Sequence, residues 1–236
     1  MLFSIFKSFG NNPRMAVIQL LLLIPSLLIA LTVHEYAHGR MALALGDKTA
    51  LAMGRLSLNP LHHLDPIGTF MLLFFGFGFA KPVPVNLRNI TKVNYKLGTV
   101  LVSIAGPLSN FILAFIGVFG LLTVNTISAN LQLASTPSTT LNLLVICFAF
   151  FQIFSLINIG LGIFNLIPIP PLDASRIITI FLPVKAQVWF HNNEHIIRFI
   201  FLVLFFTDVL DRFLIGFRSI IFDGMVRILS LLPFFN

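Results

Sequence analysis

Charge is what this chain has least of. Only 10% of its 236 residues are Asp, Glu, Lys or Arg, against about 25% in an ordinary soluble domain. Acidic residues are the scarcest, 8 in all. That composition cannot clothe a globule in water and excludes a soluble domain. Cysteine occurs once, as Cys147 within an apolar run, which rules out an intrachain disulfide and leaves a buried inert thiol as the simplest reading. No internal repeat is visible, and paired repeats are the usual mark of secondary transporters. What fills the chain instead is apolar: 57% hydrophobic residues, 27 phenylalanines and a mean hydropathy of +0.97. Several runs approach the roughly 20 residues needed to cross a bilayer. The expected class is an all-α polytopic membrane protein. The net charge of +7 does not argue for nucleic acid, because the basic residues sit in short loops between apolar runs. Cytoplasmic loops of membrane proteins carry such an excess. The expected partner surface is the lipid bilayer.

Along the chain, a first span is expected over about Met15–Leu45, with Pro25 as a possible kink and Gly46-Asp47 as its end. That run is too long for a signal-peptide core, so no cleaved leader is expected. Arg55–Asp65 reads as a loop, with Asn59-Pro60 and Asp65-Pro66 as turn signals. Ile67–Ala80 is apolar but broken by GFGF, and runs into Lys81-Pro82-Val83-Pro84-Val85. A re-entrant hairpin or edge strand is predicted there, with 77–86 able to receive an extended substrate as an added strand. Leu97–Val124 is a second span, interrupted at Gly106-Pro107, and Asn125–Thr140 an uncharged loop. Leu141–Phe164 is a third span, ended by the proline-rich stretch 165–173. A new helix is expected near Asp173, and Ile196–Thr207 and Phe213–Leu232 complete the chain. The whole reads as one integral-membrane domain, 1–236, with a core at about 15–180 and C-terminal helices at 190–232.

The chemistry is concentrated at His34-Glu35-Tyr36-Ala37-His38, at the end of the first apolar run. Helical positions four apart share a face. His34 and His38 can therefore hold one Zn²⁺, with Glu35 beside them to take a proton from water. Ionisable residues at membrane depth are costly and suggest function. Two histidines do not complete a catalytic zinc site, which usually has three protein ligands. Asp173 is the acidic residue that stands out, because it follows a proline-broken segment that can aim a carboxylate inward. Capping the following helix is its alternative role.

HEYAH, NPLHHLDPIGT at 59–69, AKPVPVN at 80–86, AGPLSN at 105–110 and NLIPIPPLDASRI at 165–177 together resemble the site-2 protease family of intramembrane zinc metalloproteases, in its compact bacterial form. The resemblance runs from about Met15 to Ile180. It implies about six helical segments with a small membrane-associated β-hairpin or sheet. It also implies one Zn²⁺ per chain held by His34, His38 and Asp173, with Glu35 activating water and Asn165 helping to position the scissile carbonyl. The substrate would be a transmembrane protein or peptide, and the chain itself a multi-pass protein of the cell membrane. One residue departs from the family pattern: Ala174 stands where glycine usually follows the aspartate. If that position needs positive φ, alanine is strained; in a first helical turn it is harmless. Strain would favour a zinc-binding pseudoprotease over an active enzyme.

The remaining candidates have plainer readings. Asn165 can cap the end of a helix. His62, His63 and Asp65 could form a second metal cluster or simply order their loop. Asn110 can hydrogen-bond between helices, with a catalytic part left open. His191 and His195 fit an interfacial location, and Gly160 and Gly162 fit close helix packing. Arg40, Lys48, Arg55 and the basic stretch 81–96 place HEYAH nearer the cytoplasmic face, whereas Lys7 and Arg14 point the other way. Oligomeric state is not legible.

Overall fold

The computed structural model describes residues 13–65, 68, 81–131, 137–205 and 208–235. Three long helices are apolar enough to cross a membrane. They are α1 (Pro13–Ala44), α3 (Tyr95–Asn130) and α4 (Ser138–Asn165). A short α2 (Thr49–Ala52) follows α1, and α5 (Asp173–Phe181), α6 (Val184–Asn192), α7 (Glu194–Phe205) and α8 (Asp208–Ser230) complete the order. Single 3₁₀ turns occupy Pro60–His62, Leu87–Asn89 and Pro233–Phe235.

Two expectations about secondary structure are corrected. The β-hairpin or small sheet is absent from the described residues, where eight α-helices stand in place of about six. Residues 81–86 have no regular structure and pair with no partner strand; their one ladder-like bond runs from the Lys81 N–H to the His63 carbonyl, 2.8 Å. Alternating valine and proline reads as a strand, but Pro82 and Pro84 lack the N–H groups a ladder needs. Apart from Gly68, the Ile67–Ala80 stretch lies outside the described residues. Among the described residues there is no sheet that a substrate strand could extend, and 77–80 of the expected receiving segment lie outside them. Helix α3 also passes unbroken through Gly106-Pro107 and ends six residues beyond Val124, into the expected loop. In the absence of water an intact helix is the cheapest way to satisfy the remaining backbone groups, so a single proline does not end it.

The spans pack through small residues. Ala16, Leu23 and Ala30 of α1 meet Ile157 of α4, and Ala114 of α3 meets Ile159 and Ile163 of α4, with Ile221 and Phe222 of α8 against them. A Cβ at Gly117 would clash with Ser155, so this glycine sets the α3–α4 approach. Outward-facing apolar residues such as Leu21 and Phe199 stay exposed, as a lipid-facing surface requires. The end of α1 is tied to the start of α3. Gly46 leaves α1 with φ +114°, and the Leu45 carbonyl accepts from the N–H groups of Thr91 and Lys92. The Asn94 side chain then caps α3 by accepting from the Leu97 N–H at 2.8 Å.

Candidate metal centre

Two elements far apart in sequence bring three donor atoms to a common point. His34 and His38 project from successive turns of α1, and Asp173 opens α5 beyond the proline-broken stretch. His34 Nε2 and His38 Nε2 are 3.1 Å apart. Asp173 Oδ2 is 3.1 Å from the first and 3.2 Å from the second. Both histidines are buried, 6% and 8% exposed. Among the described residues this is the one group of His, Cys, Asp and Glu arranged to hold a metal ion.

The outer nitrogens decide what the inner ones can do. His34 Nδ1 lies 2.6 Å from Asn110 Oδ1, and His38 Nδ1 lies 2.7 Å from the Val102 carbonyl. The Val102 carbonyl can only accept, so His38 donates from Nδ1. The same holds at His34 with Asn110 Oδ1 as acceptor. In the neutral imidazoles both Nε2 atoms then carry lone pairs, and they face each other and a carboxylate. Three acceptors at 3.1–3.2 Å repel unless a cation or protons stand among them. Two ligands at about 2.0–2.1 Å from a tetrahedral Zn²⁺ stand about 3.3–3.4 Å apart. The donor set, its spacing and its outer hydrogen bonds therefore fit zinc. Gly106 of α3 closes the space from the side: a Cβ there would sit on His38 Nε2 and 2.6 Å from His34 Cε1.

Glu35 is half-buried on α1 beside the histidines. Its Oε2 accepts the Val83 N–H at 2.9 Å. Prolines at 82 and 84 make Val83 the sole N–H donor among these three residues. The strap is pinned at its far end by Asp47, whose Oδ2 accepts the Asn86 N–H at 2.7 Å. Asp47 is 1% exposed, and its Oδ1 takes the Thr49 N–H, the Thr49 hydroxyl and the Asn89 amide. Burial alone would raise its carboxyl, but these hydrogen bonds prevail and hold it below the usual carboxylate range.

Asn165 is not drawn into the group. It ends α4 and its amide turns back to the Leu161 carbonyl, 3.0 Å away. Ala174 is buried in the first turn of α5, and among the described residues none other than glycine has positive φ. The strain that would have argued against activity is not there. His63 is buried and donates from Nε2 to the Ser57 carbonyl at 2.7 Å, while Asp65 accepts the Gly68 N–H at 2.8 Å; they order their loop and do not join His62 in a cluster. His191 and His195 are exposed. Sequence reasoning gave no part to Asn158, Gly106, Val102, Val83 or Asp47. Asn158 left a signal as an amide inside an apolar span, and Gly106 and Val83 lay within the AGPLSN and AKPVPVN motifs.

The sequence model of a family described as Peptidase family M50 matches residues 22–207. A Bacillus subtilis (strain 168) protein named "Putative zinc metalloprotease YwhC" is 44% identical over 187 residues, which is 79% of this chain and 81% of that protein. No solved structure matches.

Proposed function

The chain belongs to peptidase family M50, and from that premise we propose that it is a zinc-dependent endopeptidase cutting a peptide bond in or near a transmembrane helix of a membrane-bound substrate. Membership supports the zinc metallopeptidase chemistry, and the three apolar spans support a membrane protein. The observation that carries the finer reading is that two of the three donors, His34 and His38, lie within an apolar span. His34 and His38 lie ten and six residues before the end of α1, about 15 and 9 Å along the helix. That placement supports cleavage at membrane depth.

His34, His38 and Asp173 would hold the ion. When bound, zinc would polarise the scissile carbonyl and lower the pKa of a water toward about 7. Glu35 takes the proton of the attacking water and returns it to the leaving nitrogen. The Val83 N–H fixes one oxygen of that carboxylate, which leaves Oε1 for the proton. Asn165 swings from the Leu161 carbonyl to support the oxyanion, a contact worth about 10²–10³ in rate where it has been removed elsewhere. The substrate has to unwind locally, since a helical carbonyl is already hydrogen-bonded. Arg40, Lys48, Arg55, Arg88, Lys92 and Lys96 surround the end where α1 finishes and α3 begins, which favours a site opening toward the cytoplasm.

Zinc per chain in detergent-purified protein tests the centre. One zinc is expected in wild type, and marked loss in His34→Ala and Asp173→Ala. Zinc unaffected by Asp173→Ala would overturn the ligand set. Cleavage of tagged single-span membrane proteins reconstituted with the enzyme tests the substrate class.

A further inference from the structure

His34 owes its arrangement to a residue it does not touch. Asn110 of α3, fully buried, has two amide protons. One goes to the Ala30 carbonyl of α1 at 3.3 Å and the other to Asn158 Oδ1 of α4 at 3.0 Å. Its oxygen is left to receive the His34 Nδ1 proton. Flipping this amide would press Oδ1 against the Ala30 carbonyl, which cannot donate. Asn158, also fully buried, is fixed in the same way: its amide nitrogen donates to the Phe154 carbonyl at 2.9 Å, so its oxygen faces Asn110. Two backbone carbonyls, on α1 and α4, thus give every proton in the series one direction. It runs from His34 to Asn110 to Asn158 to Phe154.

We propose that Asn158 is a remote positioning residue of the metal centre, which acts through Asn110 to keep the His34 proton on Nδ1 and its Nε2 lone pair on the ion. The inference rests on the zinc reading of His34, His38 and Asp173. It makes the α3–α4 packing part of metal affinity, because the two asparagines meet only while those helices are in register. Without the Asn158 oxygen, Asn110 loses one of the two acceptors that orient it, and the imidazole can turn or take the other tautomer. Outer partners of zinc-bound histidines are worth about 10–100-fold in metal affinity when removed. A merely structural asparagine would cost stability and leave zinc affinity alone.

The test is a zinc dissociation constant by chelator competition on wild type, Asn158→Ala, Asn110→Ala and the double variant, with thermal unfolding of the zinc-free proteins as the fold check. Asn158→Ala is expected to weaken zinc about 10–100-fold and to add nothing in the Asn110→Ala background, the non-additivity of a shared path. Ser155→Ala is the control. Ser155 is equally buried on α4, and its hydroxyl donates only to the Phe151 carbonyl of its own helix. It is expected to bind zinc like wild type. If the alanine variant does not fold, Asn158→Leu keeps the branching at Cγ in a larger side chain, removes both polar groups and carries the same expectation. Wild-type affinity in the Asn158 variants, effects that simply add, or an equal loss in Ser155→Ala would each overturn the relay and leave the metal centre standing. Absence of zinc from wild type would overturn both.

Discussion

Replacing Gly106 by alanine adds one methyl group at the point where α3 faces the two imidazoles. That Cβ would sit on His38 Nε2 and stand 2.6 Å from both His34 Cε1 and His38 Cε1. Carbon atoms in contact prefer about 3.5–4.0 Å, so the rings would have to withdraw by about 1 Å. Metal–ligand distances tolerate about 0.2 Å, and the retreat cannot be absorbed while zinc is held. The overpacking costs about 1–3 kcal/mol. If it falls on the liganded arrangement, zinc affinity drops about 5- to 150-fold, at 1.4 kcal/mol per decade. Gly160→Ala is the matched comparison, since nothing lies within 4 Å of a Cβ there. It is expected to bind zinc normally and to gain up to about 1 kcal/mol of helix stability. The assay is chelator-competed zinc binding with circular dichroism to confirm the helices. Wild-type affinity in a folded Gly106→Ala protein would refute the geometry of the centre.

Glu35→Gln is expected to keep about one zinc per chain while cleavage falls by about 10²–10⁴; zinc loss, or cleavage near wild type, would remove Glu35 as the base. Asn165→Ala is expected to lower turnover about 10²–10³-fold with zinc content unchanged, and unaltered turnover would return it to helix capping. Asp47→Ala leaves the donors of Thr49, Asn86 and Asn89 without their carboxylate and is expected to destabilise by about 2–3 kcal/mol, read by thermal unfolding. The Asp47 carboxyl is held low in the fold, so the folded protein binds fewer protons than the unfolded chain and stability rises with pH in that window. Its contribution is complete above the unfolded value of about 3.9 and is lost as pH falls through the folded one. Asp47→Asn should therefore flatten the acid side of the stability profile, and an unchanged slope would assign that slope to other groups.

The proline-rich stretches show how partial the sequence is on its own. KPVPV reads locally as an edge strand, yet the two prolines that shape it also deny it ladder donors, and in the fold it becomes a strap whose single N–H serves Glu35. Gly106-Pro107 reads as a break, yet membrane packing keeps α3 whole and puts the glycine to use as a wall beside the His34 and His38 rings. The open question at Ala174 turned on one dihedral angle, which the residue type could not supply.

What the sequence alone determined is everything set by short-range periodicity and composition. The apolar runs require helices in lipid, and a spacing of four requires His34 and His38 to share a face. The cost of ionisable groups at membrane depth marks that pair as a candidate site. The motif resemblance had already named Asp173, but only the tertiary structure brings it and Asn110 to those histidines. Asp173 is 135 residues from His38, and Asn110 is 76 from His34. Nothing local encodes those distances, because they depend on how closely small residues let three helices approach. The proton on each imidazole depends in turn on carbonyls that every residue carries and no side chain announces.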